Sequence, residues 1–270
     1  MKILITGISG HLGRNCADLF EESGYEISGI SKGDHSDMNN CKYSKSVDIC
    51  DVRQLNALVE EPDVVLHLAG RLRRTDTPSD IILSNVLGTI NVARRFPNSR
   101  LIHASSMSVC SSKQTVYSIS KLLSERAIEV LHNDYVILRP TYLYGHYDSN
   151  SRIAKIIQDL SSGAIPTIGN GFESRDYLFC RDAAEAILEI VKNENIHNCT
   201  IDLGTGLAYS MYDIYSRIRS IWGSCPDPVS EDDEPSTPWI TDTAMAKRLL
   251  RWRPKYDIDR GIRAMIEEAR

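Results

Sequence analysis

Short apolar runs alternate with helical patterns through the first half of the chain. The runs favour buried strands, because they are short, apolar and rich in β-branched residues. The predicted strands cover residues 3–5, 25–30, 47–51, 64–70, 101–104 and 136–140. The predicted helices cover 13–23, 54–60, a segment around 85–91, and 116–132. This alternation predicts an α/β fold, with a parallel sheet and helices on both of its faces.

Beyond residue 145 the pattern changes to helices joined by short irregular pieces. The predicted elements are helices at 153–160, 182–192, 211–221 and 243–250, a turn at 169–171, a strand at 201–204 and a solvated acidic loop at 227–238. The helix at 243–250 is predicted to be the last. We predict a first domain over 1–145, to which 180–205 return, and a smaller lobe over 146–179 and 206–270. That lobe would cover the carboxyl ends of the strands, where open α/β sheets bind ligands.

Three glycines follow the first predicted strand at a regular spacing. Gly7, Gly10 and Gly13 stand directly before a helical pattern. This spacing allows a tight turn, close approach of backbone to a diphosphate, and a helix N-terminus whose N–H groups face the anion. The alternative is a glycine-rich turn that binds nothing. The sequence favours a dinucleotide site, and the predicted cofactor contacts in this turn are Gly7, Ser9, Gly10, His11, Leu12 and Gly13.

The end of the second predicted strand bears on the choice of dinucleotide. An acidic residue there would bind the 2′-hydroxyl of the adenosine ribose, whereas this chain has Ser31 and Lys32. A hydroxyl and a cation suit a 2′-phosphate, so the sequence favours NADP. The alternative is NAD, with Asp34 or Asp37 bending back to the ribose and Lys32 in solvent.

A serine, a tyrosine and a lysine supply the candidate chemistry. Ser106 follows a predicted strand, and Tyr117 and Lys121 stand four residues apart on one face of the next helix. A lysine ammonium and an oxidised nicotinamide both stabilise a phenolate, so Tyr117 becomes a proton shuttle. Ser106 would hydrogen-bond the reacting oxygen during hydride transfer. The alternative is a surface i,i+4 pair, but the order of these residues after a glycine turn favours catalysis.

Composition narrows the possible partners. The formal net charge of −5 argues against nucleic acid or an anionic membrane as the main partner. Seven cysteines without a C-x-x-C pair suit reduced thiols better than disulfides or a metal site. There is no apolar stretch of ~18 residues that would predict a membrane span. We therefore expect a cytoplasmic protein that acts on a small molecule and holds no metal.

A series of ordered motifs runs nearly the whole length of the chain. They are Thr6-Gly7-x-x-Gly10-x-x-Gly13, Asp48-Ile49, His67-Leu68-Ala69-Gly70, Asn85-Val86-x-Gly88-Thr89, Ser105-Ser106, Tyr117-x-x-x-Lys121, Arg139-Pro140 with Tyr144-Gly145, Arg175-Asp176-Tyr177, Asp182, Leu203-Gly204-Thr205-Gly206 and Trp252-x-Pro254. In this order they resemble the extended short-chain dehydrogenase/reductase family, specifically its nucleotide-sugar epimerase/dehydratase branch.

The resemblance implies a Rossmann-type doubly wound parallel sheet with a smaller C-terminal substrate-binding lobe. It also implies that Asp48 and Ile49 flank the adenine and that Lys121 holds the nicotinamide ribose. The other cofactor contacts implied are Leu68, Ala69, Gly70, Asn85, Ser105, Tyr117 and Pro140. The implied substrate contacts are Ser106, Met107 and Arg175, the last through the substrate diphosphate. A homodimer packed through the helices around 85–95 and 117–131 is implied as well.

Departures from the family pattern narrow the expected reaction. Met107 stands where the dehydratases begin an acid pair, which argues against dehydration. Met107 also replaces the cysteine of the 3,5-epimerase/reductases, and Cys110, three residues further on, is predicted to be structural. Pro238 and Trp239 occupy the place of an expected arginine, so the nucleotide-sugar contacts differ from the usual set.

The expected function is an NAD(P)-dependent oxidoreduction at C4 of a nucleotide-activated sugar, by 4-keto reduction or 4-epimerisation. The first domain would bind the dinucleotide and the smaller lobe the substrate. Since a fold does not fix a substrate, one alternative is a reductase of a non-sugar carbonyl. The other is a non-catalytic, dinucleotide-sensing protein.

Overall fold

The computed structural model describes residues 1–32, 44–59, 61–72, 75–232 and 237–269. Its strands, in chain order, are β1 (Lys2–Thr6), β2 (Glu26–Ser31), β3 (Ser44–Ser46), β4 (Val64–His67), β5 (Arg100–Ala104), β6 (Tyr135–Pro140), β7 (Tyr142–Tyr144), β8 (Thr167–Asn170), β9 (Ser174–Phe179), β10 (Cys199–Leu203), β11 (Ala208–Ser210) and β12 (Val229–Asp232).

The helices of the described ranges alternate with these strands through the first 140 residues. They are α1 (His11–Glu22), α2 (Val52–Asn56), α3 (Pro78–Ile82), α4 (Gly88–Arg95), α5 (Val116–Leu131), α6 (Arg152–Ser162), α7 (Cys180–Lys192), α8 (Met211–Trp222), α9 (Ala244–Leu250) and α10 (Ile258–Ala269). A π-helical turn, Leu83–Leu87, joins α3 to α4, and a 3₁₀ helix, Met107–Cys110, follows β5.

The main sheet has the strand order β10-β6-β5-β4-β1-β2-β3. Each neighbouring pair from β6 to β3 runs parallel. The strand order reverses between β1 and β4, and the carboxyl ends of these two strands are where such sheets bind ligands. The predicted Rossmann-type doubly wound sheet is confirmed, and β4 lies beside β1.

Apolar strand residues build the core of this sheet. Leu4, Val65 and Leu101 lie on three strands and are nearly inaccessible to solvent. They share one cluster with Val92 of α4 and with Phe96, the C-cap of that helix. Strands of a parallel sheet are covered on both faces, which explains why their sequences are continuous apolar runs.

The chain forms two compact units. The first consists of Met1–Pro140 and Ala184–Ile201, and the second of Thr141–Ala183 and Asp202–Arg270. The boundaries expected from the sequence were 145, 180 and 205. The assignment of the dinucleotide to the first unit and of the substrate to the second stays a prediction.

Aromatic rings organise the core of the second unit. The rings of Phe179 and Tyr256 stack 4.2 Å apart, and Tyr144 packs edge-on against Phe179 at 5.4 Å. Apolar residues of α6, α8 and α10, including Ile157, Ile214 and Ile262, complete the same cluster. The unit also contains two small sheets, ordered β11-β9-β7 and β12-β8.

The prediction that the helix at 243–250 is the last one is wrong. Helix α10 follows it, and its buried face carries Ile258, Ile262, Met265 and Ile266. These positions have the i, i+4, i+7, i+8 spacing of an amphipathic helix, so the signal was present in the sequence.

The predicted turn at 169–171 and the predicted solvated loop at 227–238 are also wrong in part. Strand β8 includes residues 169 and 170, and it pairs in parallel with β12, which lies inside the acidic stretch. The two strands are about 60 residues apart in sequence, so neither segment alone indicates the pairing. Likewise, strand β3 ends at Ser46, before the strand predicted at 47–51 would begin. Helix α2 ends at Asn56, whereas the predicted helix ran from 54 to 60, and residue 60 lies outside the described residues.

Two absences hold for the described part of the chain. At 16 residues, α5 is the longest described helix, and none has the length and hydropathy of a bilayer-spanning helix. No disulfide joins the cysteines within the described ranges.

Candidate active site

The glycine turn after β1 forms a cradle at the start of α1. Gly7 has a positive φ of 72°, and its N–H donates to the carbonyl of Ile30 at 2.7 Å. Gly10 donates to the carbonyl of Gly7 and is the N-cap of α1, where it makes no side-chain cap. A helix N-terminus without a side-chain cap presents its first N–H groups and its positive dipole end to an anion. The turn therefore fits a diphosphate.

The segment after β4 lies against this turn. A Cβ atom on Gly7 would come within 2.7 Å of the Ala69 backbone nitrogen, so only glycine permits the approach. A Cβ atom on Gly70 would lie 3.2 Å from Asn85 Oδ1 and 3.3 Å from Lys121 Nζ. The predicted diphosphate contacts, Gly7 with Ala69 and Gly70, are thus brought together and reach the predicted catalytic lysine.

A chain of buried hydrogen bonds fixes the geometry beneath the turn. Thr89 Oγ1 donates to the carbonyl of Asn85 at 2.6 Å, so it accepts from His67 Nε2 at 2.9 Å. His67 Nδ1 then accepts from Thr6 Oγ1 at 2.7 Å. Burial lowers the pKa of His67 to about 3, which keeps the ring neutral, as this pattern requires. His67 is therefore a packed histidine of β4.

Asn85 lies within the π-helical turn and uses its amide inside the protein. Its Oδ1 accepts from the Arg71 N–H at 2.7 Å, and its Nδ2 donates to Ser120 Oγ at 2.9 Å. These bonds hold the segment that follows Gly70. Asn85 was predicted as a cofactor contact, and the bonds it makes fit a residue that shapes the site.

The residues that bear on the choice of cofactor lie at the end of β2. Ser31 Oγ lies 2.8 Å from Ser9 Oγ. Lys32 Nζ forms an ion pair with Asp48 Oδ2 at 2.6 Å, although the lysine side chain is 65% exposed. The cation that favoured a 2′-phosphate therefore has a carboxylate partner. The alternative partners, Asp34 and Asp37, lie outside the described residues.

Ile49, the other predicted adenine contact, is buried in the core cluster of the first unit. A Cβ atom on Gly88 of α4 would lie 2.5 Å from Ile49 Cδ1, so the isoleucine packs closely against the helix. Leu68, which follows β4, is partly exposed.

Ser106 and Tyr117 meet at the carboxyl end of β5. Ser106 is the N-cap of the 3₁₀ helix, and its Oγ accepts from the Ser108 N–H at 3.1 Å. Tyr117 lies in the first turn of α5, which a capping box between Thr115 and Ser118 begins. The Ser106 hydroxyl interacts with the Tyr117 hydroxyl and lowers its pKa. The structure thus brings together the predicted catalytic hydroxyl groups.

Lys121 lies one helical turn beyond Tyr117 and is buried. Its Nζ donates to the carbonyl of Ala104 at 2.6 Å. Burial lowers the pKa of Lys121 to about 8 and raises the pKa of Tyr117 to about 12, while the Ser106 hydrogen bond opposes the latter shift. Without further positive charge Tyr117 is neutral at pH 7, so it can act as a base only when a cation beside it stabilises the phenolate.

Three further predicted contacts have defined surroundings. Met107 and Pro140 are buried at the ends of β5 and β6. Ser105 is buried as well, and its hydroxyl donates to Glu125 of α5. Cys110, predicted to be structural, is exposed, and Arg139 Nη1 lies 3.7 Å from its sulfur.

Sequence reasoning missed Glu125. Its carboxylate accepts hydrogen bonds from the Ser105 hydroxyl and from the guanidinium of Arg139. Both of these residues belong to the motifs found in the sequence. The signal that could have found it was position, because Glu125 follows Lys121 by four residues and so faces the same way.

Arg175 lies on β9 of the second unit. Its guanidinium pairs with Glu173, which directly precedes that strand. The next residue, Asp176, is buried and accepts from the Thr205 N–H and hydroxyl and from the Gly206 N–H. The contact of Arg175 with a substrate diphosphate stays a prediction.

Taken together, the parallel sheet, the glycine cradle at its switch point and the Ser-Tyr-Lys arrangement define a dinucleotide-dependent α/β enzyme. The model of the NAD dependent epimerase/dehydratase family matches residues 3–204. The chain belongs to this family, and the resemblance inferred from its motifs is confirmed.

Two characterised relatives match the chain at low identity. It is 24% identical over 311 residues to a UDP-glucose 4-epimerase of Mycolicibacterium smegmatis, covering 99% of this chain and 98% of that one. It is 26% identical over 248 residues to a GDP-6-deoxy-D-talose 4-dehydrogenase of Aggregatibacter actinomycetemcomitans, covering 82% and 80%.

Among solved structures, the UDP-glucuronic acid 4-epimerase of Bacillus cereus in complex with UDP-glucuronic acid and NAD superposes with a TM-score of 0.87. The match covers 100% of this chain and 99% of that one at 24% identity. It supports the assignment of the fold.

Proposed function

We propose that the protein catalyses NAD(P)-dependent hydride transfer at C4 of a nucleotide-activated sugar. The observation that carries the proposal is the interaction of Ser106 with the Tyr117 hydroxyl, with the buried Lys121 one turn further along α5. The relatives named above, a 4-epimerase and a 4-dehydrogenase of sugar nucleotides, support the same carbon and the same substrate class.

The residues of the first unit divide the chemistry between them. Gly7, Gly10 and Ala69 would hold the diphosphate of the cofactor, whose nicotinamide supplies hydride acceptance and return. Tyr117 would take the C4 hydroxyl proton as the C–H bond breaks, which leaves a carbonyl at C4. Ser106 would hydrogen-bond the same oxygen, and Lys121 would stabilise the phenolate. In the return direction Tyr117 gives the proton back.

Reduction and epimerisation use the same residues and differ in the fate of the cofactor. Because Asp48 already engages Lys32, we favour NAD, retained through an epimerisation cycle. A dissociable NADPH and net 4-keto reduction is the second candidate, since Lys32 remains largely exposed. The test is the cofactor content of the purified protein and its turnover of UDP-, GDP- and dTDP-linked sugars. Net NADPH consumption with a 4-keto sugar nucleotide would exclude a pure epimerase.

Asp48→Asn is expected to raise the affinity for NADP relative to NAD. The change removes the Asp48 carboxylate. That carboxylate neutralises Lys32, and its negative charge would repel a 2′-phosphate. Exposed ion pairs contribute up to ~1 kcal/mol, so we expect a change in the affinity ratio of about fivefold. Calorimetric titration with both dinucleotides at one ionic strength measures it.

Glu61→Gln serves as the control for this prediction. Glu61 forms an exposed ion pair with Arg95 in the same unit, and its loss is expected to leave the NADP/NAD ratio unchanged. An unchanged ratio in the Asp48→Asn protein would mean that Lys32 does not face the adenosine ribose.

A homodimer is the proposed assembly. Leu83 and Leu87 stand one turn apart before α4, and Ile119 and Leu123 stand one turn apart on α5; all four are exposed. We expect light scattering to give twice the chain mass, and Leu87→Glu with Leu123→Glu to give a monomer. Val59→Glu, at a highly exposed apolar residue elsewhere, is the control. A monomeric wild type would contradict the proposal.

A cytoplasmic location stays a prediction from the sequence.

A further inference from the structure

We propose that Glu125 is a positioning residue for the C4 oxidoreduction: it ties the strand end that carries Ser106 to the helix that carries Tyr117 and Lys121. The inference rests on the proposed function for its catalytic consequence. Its structural and electrostatic parts can be tested without substrate.

The contacts of Glu125 satisfy both of its carboxylate oxygens. The side chain is 1% exposed. Arg139 Nε donates to Oε1 at 2.9 Å, and Arg139 Nη2 donates to Oε2 at 2.6 Å. The Ser105 hydroxyl also donates to Oε1. A bidentate guanidinium pair in a buried site has well-defined geometry, so the carboxylate is held in one place.

This carboxylate joins three elements that carry the candidate active site. Ser105 directly precedes Ser106 at the end of β5, and its backbone N–H donates to the carbonyl of Leu138 on β6 at 2.7 Å. Arg139 is the next residue of β6, and Glu125 belongs to α5. The separation of Ser106 from Tyr117 is therefore set by the Ser105–Glu125–Arg139 network as well as by the local turns.

Glu125 also faces Lys121 along α5. Burial lowers the pKa of Lys121 to about 8, and the charge of Glu125 raises it. Among the described residues, the charge of Lys121 also acts on His67 of β4 and His103 of β5, whose rings stack 5.0 Å apart. Burial lowers the pKa of both histidines, to about 3 for His67 and well below the ordinary value for His103, so both are neutral. The carboxylate thus supplies the negative charge that keeps the lysine protonated.

Glu125→Gln tests this role with little change of shape. An amide oxygen can still accept from Ser105, but the negative charge is gone. The pKa of Lys121 then falls further, so the ammonium is lost at a lower pH. We expect the alkaline limb of the kcat–pH profile to move to lower pH by about one unit. Glu129→Gln is the matched control, because Glu129 lies one turn further along α5 in a surface pair with Arg126. The alkaline limb of the kcat–pH profile should not move in this variant.

A second readout needs no substrate. In protein labelled with ¹⁵N-lysine, the Nζ resonance of Lys121, assigned through its loss in Lys121→Arg, reports the titration directly. We expect the same shift of about one unit in Glu125→Gln. If this shift occurs while no sugar nucleotide is turned over by the wild type, the proposed function fails, whereas the electrostatic effect of Glu125 on Lys121 stands.

The double variant Glu125→Gln/Arg139→Gln separates positioning from simple charge neutralisation. The single variant leaves the Arg139 guanidinium partly buried without its carboxylate and can lower stability. The double variant removes that defect. Its melting temperature is expected to return towards the wild-type value, while the titration of Lys121 stays shifted. A return of the wild-type kcat–pH profile in the double variant, or an unshifted Lys121 titration in both, would overturn the proposal.

Discussion

Tyr117→Phe is expected to lower kcat by roughly three orders of magnitude while the dinucleotide still binds. The phenylalanine keeps the ring and its packing and removes only the hydroxyl that pairs with Ser106. The proposed proton shuttle is then lost, and Ser106 alone is far too weak a base. The loss should appear in kcat, because the interaction is made chiefly in the transition state.

Steady-state kinetics with a sugar nucleotide, together with calorimetric titration of the dinucleotide, measures both parts of this result. Tyr135→Phe is the control, because Tyr135 lies on β6 of the same unit and is not part of the proposed site. Wild-type turnover in the Tyr117→Phe protein would remove the mechanism.

Gly7→Ala is expected to abolish dinucleotide binding and to destabilise the protein. Gly7 has φ of 72°, and a Cβ atom there would meet the Ala69 nitrogen at 2.7 Å. The left-handed conformation alone costs a residue with a side chain roughly 1–2 kcal/mol. The clash adds to this and pushes the segment after β4 away from the turn. Both sides of the diphosphate cradle are then displaced.

Gly24→Ala provides a close control for this variant. Gly24 has φ of 80°, but no atom lies within 4 Å of a Cβ atom built on it. It should therefore show the conformational cost of roughly 1–2 kcal/mol without loss of binding. Denaturant unfolding and titration with NAD compare the two. Equal stability losses, with dinucleotide binding intact in the Gly7→Ala protein, would mean that the turn is not the phosphate cradle.

The first unit was more predictable than the second because its signals are local. The central strands of its parallel sheet, such as β4 and β5, are apolar runs that stand out from the residues on either side. In the second unit, β8 pairs with β12 across about 60 residues. Such short, partly polar strands have no distinct pattern until they are paired, so the sequence predicted a turn and a loop there.

The residues of the candidate site were likewise predictable only where their signal is local. The four-residue spacing of Tyr117 and Lys121 and the three-residue spacing of the glycines follow from helix and turn geometry, which a sequence displays directly. Glu125 was missed although it has the same helical spacing from Lys121. Its importance comes from Ser105 and Arg139, which reach it from two other elements.

By itself, the sequence determined the family, the parallel sheet and the order of the glycine turn, Ser106, Tyr117 and Lys121. Only the tertiary structure decided which partner each polar side chain takes. Lys32 pairs with Asp48 while its side chain stays largely exposed, and Ser105 turns its hydroxyl to Glu125. The physical reason is that a local pattern fixes the direction of a side chain along its own element. The group it meets depends on strand register and helix packing, which bring together residues that are distant in sequence.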